Sequence, residues 1–419
     1  MVAQAEYSDV VERFLRIVQI PSQSDESNAE VTPSTEAQHA MAQALYEDLK
    51  KLGCEDATVD EHAYVTASFP ASKGAEDLPA LGLISHIDTS PDAPADHIHP
   101  HIVHYEGGDL VAGTANGKAI VTTPKQIPDL TQFVGQDIIC SDGSTLLSAD
   151  DKAGVAEICS LLHRLSQNPE LSHPTLKIAF VPDEEIGHGA SLLDLKKFGA
   201  KWAYTVDGEA LGEFNYETFN ASEALVDITG VMVHPGSAKD VMVNAITVAG
   251  EFDALVPQAE RPEHTEGHEG FYHPLAVNGT AAHVRLTYIV RDHSERKFAV
   301  REQTLWDIAA FLNKRYGADT VKITIKEQYK NMAAYLKGQD FLINNALESN
   351  REAGIDPRVV AVRGGTDGSQ LSARGLPCPN IATGGYNAHS VREFIPLKSL
   401  EKTVDVLTNL VAKFAKPQQ

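Results

Sequence analysis

Cysteine is scarce in this chain: four occur in 419 residues, at Cys54, Cys140, Cys159 and Cys378. None are spaced C-x-x-C. That argues against a thiolate zinc site or a disulfide framework and leaves four reduced, mostly buried thiols as the expectation. Positive charge is short too. Lys and Arg total 35 against 58 Asp and Glu, a formal net charge of −23. Nucleic acid and anionic membranes are held by basic patches, so neither is expected as a partner. No apolar run approaches the roughly 18 residues of a membrane span. Met1 to Tyr7 lacks the basic and apolar regions of a signal peptide, so a cytoplasmic protein is expected. There is no internal repeat and no low-complexity tract; Ala71 to Asp77 is the nearest thing to a flexible stretch.

What is present is core-forming material: 42% of residues are hydrophobic, and the length suggests two or three domains. Val10, Val11, Phe14, Leu15 and Val18 make a helical stripe that Pro21 stops. Thr35 with Gln38 resembles a capping box for a helix running to Leu52, with Gly53 past its end. Ala80–Ile84, Leu176–Val181 and Trp202–Val206 are short continuous apolar runs, as expected of strands covered on both faces. Asp150 and Asp151 open a helix with Val155, Ile158, Leu162 and Leu165 on one face. This alternation is α/β, with a mostly parallel sheet flanked by helices. From about Phe219 the signals change. Strands are expected at Ala224–Val233, Gly270–Val277, His283–Val290 and Val321–Glu327, with helices at Val241–Leu255 and Ser294–Tyr316. That β-α-β-β-α-β order suits a ferredoxin-like α+β insert. The α/β style returns at Val359–Val362 and ends in a helix near Lys398–Phe414. Residues 1–218 and 330–419 are thus expected to form one domain, and residues 219–329 a lid or dimerisation domain inserted into it.

Five segments carry metal-ligand chemistry: Ser85-His86-Ile87-Asp88-Thr89, Ser148-Ala149-Asp150-Asp151-Lys152, Pro182-Asp183-Glu184-Glu185-Ile186, Val206-Asp207-Gly208 and Tyr386-Asn387-Ala388-His389. Each follows or ends a short apolar run, or opens a helix. Groups scattered along a chain but placed at strand ends converge at one edge of a parallel sheet. Imidazole nitrogen and carboxylate oxygen are zinc donors, and two metals about 3.5 to 4 Å apart need a carboxylate between them. His86 and Asp88 share one side of an extended strand, so Asp88 would accept the second ring proton of His86. Glu184 and Glu185 would point in opposite senses, one to bind metal and one to stay free as a general base. A metal-dependent hydrolase is the function class these residues suggest.

Taken in order, Phe133 to Gly154, Val181 to Gly189, Trp202 to Gly208, Val233 to Ala245, Thr265 to His273 and Arg363 to Tyr386 resemble the peptidase T family of bacterial tripeptide aminopeptidases, which use two zinc ions. The resemblance covers most of the chain. It implies that His86 and Asp207 bind one zinc, Glu185 and His389 the other, and that Asp150 bridges both. It implies that Asp88 orients His86 and that Glu184 is the proton acceptor. His234 and Arg291 in the insert, and Arg363 before the Gly-rich loop, look like substrate contacts. In related exopeptidases an insert histidine helps hold the reacting carbonyl oxygen and an arginine a substrate carboxylate, a task suited to a two-pronged guanidinium. Short peptides with a free N-terminus would be the substrates, cobalt or manganese would be substitutes for zinc, and the insert would allow a homodimer. The chain departs from the family in an N-terminal extension, in the histidine-rich stretch His97, His99, His101 and His104, and in Ala388, where an aromatic is more familiar.

Plainer roles compete with these. His97 to His104 is expected to be a solvated loop. His268-Glu269 is followed by Gly270 and Tyr272, so no HExxH helix forms. Arg363 to Gly368 lacks the GKS/T ending of a phosphate loop. Asp151 reads as a helix N-terminal acid and Asp183 as structural, and Gly364, Gly365, Gly384 and Gly385 as turn residues with positive φ. A dipeptidase, carboxypeptidase or N-acyl amino acid hydrolase would use the same scaffold. A catalytically inactive peptide-binding protein is the alternative from another class, and intact Glu184 argues against it.

Overall fold

The computed structural model describes residues 7–208 and 210–418. Residues 1–6, which carry most of the expected N-terminal extension, lie outside them. The chain divides into two compact units. Met1–Tyr216, Tyr335–Val360 and Thr366–Gln419 form the first; Glu217–Ala334 and Ala361–Gly365 form the second. The strip Ala361–Gly365 was expected in the first unit and groups with the second instead, because its backbone and side chains are tied there. The Val362 N–H donates to the Glu217 carbonyl at 2.9 Å, and the Arg363 guanidinium donates to the Gly267 and Glu269 carbonyls at 2.8 Å each.

The first unit is built on an eight-stranded sheet. Its centre is parallel: Leu176–Val181 pairs with Leu81–His86, that strand with Trp202–Val206, and that one with Asn380–Ile381. The outer strand Val65–Phe69 pairs antiparallel with Leu176–Val181. Leu81–His86 and Trp202–Val206 are buried along their whole length, which is why they read as unbroken apolar runs. One face packs Ile84, Ala179, Val181 and Ala203 against Phe198 and Leu371. The helix Ala149–Gln167 packs against Leu81–His86 and Trp202–Val206, and against the helices Asp9–Ile17 and Leu397–Lys413. Parallel strands all point their C-terminal ends to one edge of the sheet, so His86, Val181, Val206 and Ile381 deliver the residues that follow them to a common place. All four cysteines are unpaired and buried.

Thr35 and Gln38 do not form the expected capping box. The helix Ala37–Lys51 has Glu36 at its N-cap with no side-chain cap. The Thr35 hydroxyl donates to the Gln23 carbonyl at 2.7 Å, and the Gln38 amide donates to the Asp183 carboxylate at 2.6 Å. Buried Asp183 needs partners more than the helix end does. The histidine-rich stretch is partly strand rather than loop, since His101–Tyr105 pairs with Gln136–Cys140. Of the four glycines expected to have positive φ, only Gly384 does, at +90°. The Asp150–Asp151 peptide bond is cis.

The second unit is a four-stranded antiparallel sheet ordered Phe271–Gly279, His283–Asp292, Asn220–Thr229 and Val321–Tyr329. Ala224, Val226 and Ile228 alternate inward with Val284, Leu286, Tyr288 and Val290. They meet Val248 and Phe252 of the helix Ala245–Leu255 and Leu305 and Leu312 of the helix Glu295–Tyr316. This is the expected β-α-β-β-α-β order, with both helices on the inward face. Its first strand starts earlier than expected and stops at Thr229. At Gly230 a side chain would meet the Ala281 and Val243 carbonyl oxygens at 2.5 Å, a close approach only glycine allows.

Candidate metal centre

The strand Leu81–His86 ends by burying an imidazole among carboxylates. His86 Nε2 lies 3.0 Å from Asp150 Oδ1. Its Nδ1 lies 3.2 Å from Asp88 Oδ1. The Asp88 carboxylate is also the acceptor for two backbone donors, Glu184 N–H at 3.0 Å and Glu185 N–H at 3.2 Å. Asp88 therefore ties the His86 ring to the turn that carries both glutamates, and that turn is held in place whatever their side chains do.

Glu184 and Glu185 do not alternate as strand residues. They sit in a single 3₁₀ turn, Glu184–Ile186, entered through Asp183 in the left-handed region at φ +56°. The Asp183 carboxylate accepts from the Ser34 N–H and hydroxyl and from Gln38, which holds the bend. Out of this turn Glu185 Oε2 reaches His389 Nε2 at 2.8 Å. His389 Nε2 also lies 3.6 Å from Asp150 Oδ2. Asp150 thus offers one oxygen to each of the two imidazoles. Asp207 follows the strand Trp202–Val206, and its N–H donates to the Ile381 carbonyl at 2.9 Å. Among the described residues two groups have ligand atoms within 4.8 Å of one another: His86, Asp150 and Glu185, and His86, Asp151 and Asp207. No such group forms in the His97 to His104 stretch among the described residues, where His104 pairs with Asp137 at 2.7 Å instead.

The electrostatics of this cluster are those of carboxylates crowded out of water. Burial, the Asp150 charge and other neighbouring acids push Glu185 up to about 7 and Asp207 up to about 8. Burial and the charge of Asp367 likewise push Glu184 well up. Burial alone would also raise Asp150, but hydrogen bonds and charge from His389 and His86 outweigh it and hold this carboxyl below the usual range. Glu185 Oε1 is buried with no hydrogen-bond partner among the described residues. An orphan oxygen among repelling acids and two imidazoles is a donor set that fits divalent cations, whose binding would displace the imidazole protons.

A model of peptidase family M20/M25/M40 matches residues 148–413, the stretch that contains Asp150, Glu185, Asp207 and His389. Peptidase T of Clostridium acetobutylicum is 44% identical over 408 residues, covering 97% of this chain and 99% of that protein. The chain belongs to the M20/M25/M40 family, in its peptidase T group. Peptidase T of Geobacillus thermodenitrificans is also 44% identical, over 97% of this chain and 98% of its own length. The fold of the family is seen in solved structures. An aminopeptidase PepT from Bacillus cereus matches with a TM-score of 0.76 at 22% identity, over 97% of this chain and 98% of the other. A tripeptidase from Staphylococcus aureus matches with a TM-score of 0.75 at 22% identity, over the same shares.

Family membership makes this chain a hydrolase of the peptidase class. The other sequence-derived candidates, His234, Arg291 and Arg363, lie in the second unit. His234 is exposed, with Nδ1 accepting the Gly236 N–H at 3.1 Å. Arg291 donates to the Ser222 and Val290 carbonyls at 3.1 and 2.9 Å and to Gln328 at 2.8 Å. Its neighbour Asp292 is paired with Arg301 at 2.8 Å, and no carboxylate pairs with Arg291 among the described residues. Arg363 braces the 265–269 loop, adding a 2.8 Å bond to Thr265 Oγ1, and lies over the Phe219 and Phe271 rings. Two of its hydrogen bonds go to carbonyls and one to a hydroxyl. Thr366, after it, caps the helix Asp367–Ala373 in a true capping box with Ser369.

Sequence reasoning passed over four residues of the first-unit site. Asp92 Oδ2 holds His389 Nδ1 at 2.8 Å, as Asp88 holds His86. Asp151, read as an N-terminal helix acid, is fully buried. It accepts the Ser85 hydroxyl, the His86 N–H at 3.1 Å and the Gly154 N–H at 3.3 Å. Asp367 is a buried carboxyl whose Oδ1 has no hydrogen-bond partner among the described residues, and burial pushes it up to about 7. Glu393 is the fourth.

Proposed function

We propose that this chain is a two-zinc aminopeptidase that removes the N-terminal residue of tripeptides. The observation that carries the reading is the full-length likeness to proteins named peptidase T, and the shared position of Asp150 between His86 and His389 supports two metals. His86 and Asp207 would hold one, Glu185 and His389 the other, and Asp150 would bridge them. When bound, the cation pair supplies Lewis-acid chemistry: it acidifies a water and polarises the scissile carbonyl. Glu184 takes the proton of the attacking water and returns it to the leaving amine. Asp88 and Asp92 hold the outer nitrogens of the two imidazoles and so fix which nitrogen faces inward. His234 is proposed to help hold the developing oxyanion, Arg291 the substrate's C-terminal carboxylate, and Arg363 to be a further substrate contact. The second unit would serve as lid or dimerisation module. The working compartment would be the cytoplasm.

A panel of free and N-acetylated di-, tri- and tetrapeptides tests the reading, with products identified by mass spectrometry and metal content measured on the same sample. Free tripeptides should be cleaved at their first bond and acetylated ones poorly. Equal rates on a tripeptide and its acetylated form would rule out an aminopeptidase.

Arg291→Ala should lower kcat/KM on tripeptides by roughly 1.5–3 kcal/mol, the worth of a charge-assisted pair. A tripeptide amide lacks the carboxylate, so it should be a poor wild-type substrate and lose little more in the variant. Arg291→Lys should rescue in part only, since an ammonium lacks the fork. Equal proportional losses on acid and amide would mean that Arg291 does not meet the carboxylate.

A further inference from the structure

Glu393 is 1% exposed and belongs to neither ligand group. Its carboxylate accepts three backbone donors from the turn that opens the helix Ala149–Gln167. Leu147 and Ser148 N–H donate to Oε2 at 2.7 Å each, and Asp150 N–H donates to Oε1 at 3.0 Å. Ser148 lies in the left-handed region at φ +62°, a conformation that a residue with a side chain keeps only where its surroundings hold it. Glu393 supplies that hold. Without it three backbone donors, two of them fully buried, would lose their acceptor.

The same hairpin carries His389. Its base is closed by reciprocal backbone bonds between Tyr386 and Phe394, at 2.9 and 3.0 Å, and Glu393 N–H donates to the Ser390 carbonyl at 3.0 Å. Phe394–Pro396 is anchored in turn against Gln136–Cys140. One anchored hairpin therefore reaches Asp150 twice, through its backbone from Glu393 and through its carboxylate from His389, 3.6 Å away.

We propose that Glu393 is a positioning residue of the metal centre. By fixing the Leu147–Asp150 turn it sets where the Asp150 carboxylate lies between His86 and His389, and through that sets metal affinity and rate together. This rests on the two-metal reading above. A helix-capping role alone would affect stability and leave metal affinity unchanged.

Glu393→Gln keeps the shape but has one oxygen. Its amide nitrogen must face either Asp150 N–H or the Leu147 and Ser148 pair, donor against donor. The experiment titrates zinc into the metal-free full chain against a chromophoric chelator, with thermal midpoints and tripeptide kinetics at saturating zinc. Leu410→Ala, in the buried side of the helix Leu397–Lys413, is the stability control. E393Q should weaken zinc binding by about 10–100-fold, the usual effect of losing an outer-shell partner, and lower kcat while KM stays within about a factor of two of wild type. L410A should lose thermal stability and keep its zinc affinity. Should E393Q be recovered unfolded, E393D, which keeps the charge one methylene short, is measured in the same way and should show the same weakened binding. A wild type that binds fewer than two zinc ions overturns the two-metal reading. A wild type that binds two, with E393Q or E393D binding them as tightly, overturns this one.

Discussion

Glu184→Gln should abolish most turnover while the protein still binds two metal ions. The turn carrying Glu184 is fixed by its backbone, with the Glu184 and Glu185 N–H groups both held by Asp88. A glutamine at 184 therefore changes a proton acceptor into a group that cannot take a proton, and moves nothing else. Loss of a general base costs about 10²–10⁴-fold in rate, so kcat should fall by that factor with KM little changed. Glu185→Gln should behave differently. Its Oε2 lies 2.8 Å from His389 and its Oε1 has no hydrogen-bond partner among the described residues, in keeping with the ligand role proposed for it. That variant should lose metal first and activity as a consequence. Metal analysis and steady-state kinetics on both proteins decide the assignment. Were Glu184→Gln to lose a metal while Glu185→Gln kept both, the two roles would be exchanged.

The parts of this centre that the sequence disclosed are those attached to regular structure. Buried parallel strands must be apolar along their length, so Leu81–His86 and Trp202–Val206 announce themselves, and His86 and Asp207 follow as polar residues at their ends. His389 has no such flag. It sits at φ +61° in an irregular hairpin, so residue type marked it as a candidate while its role came only from the resemblance to a family segment. The supporting acids were out of reach for another reason. Glu393 meets Leu147 across 246 positions and Asp92 meets His389 across 297, and no local pattern encodes a contact at that separation. Local patterns also misled where tertiary demand was stronger. Gln38 has the spacing of a capping residue but serves Asp183, and Glu184 and Glu185 have the look of a strand end but follow a left-handed residue into a 3₁₀ turn.

Asp150→Asn should cost the chain its ability to hold two metals at once. Asp150 Oδ1 lies 3.0 Å from His86 Nε2 and Oδ2 lies 3.6 Å from His389 Nε2, so each oxygen faces one of the two imidazoles. Asparagine keeps one oxygen and replaces the other with a donor that no cation accepts. Zinc stoichiometry should fall from two to one or fewer. Lewis-acid assistance is worth several kcal/mol of barrier, so activity should drop on the order of 10³-fold or more. The neighbouring acid provides the contrast, because His86, Asp151 and Asp207 also form a ligand-spaced group. Asp151, however, has both oxygens engaged: Oδ2 accepts from the Ser85 hydroxyl and the His86 N–H, and Oδ1 from the Gly154 N–H. Its side chain braces the strand end and the helix start against each other, which leaves little capacity for a cation. Asp151→Asn should therefore lose about 1–3 kcal/mol of stability, the cost of one buried donor or acceptor left unpaired, and still bind two metals. Zinc titration and thermal melts of the two variants separate the roles. If Asp150→Asn bound two metals and Asp151→Asn bound one, the bridge would be Asp151, and the second ligand group would be the one that holds the centre together.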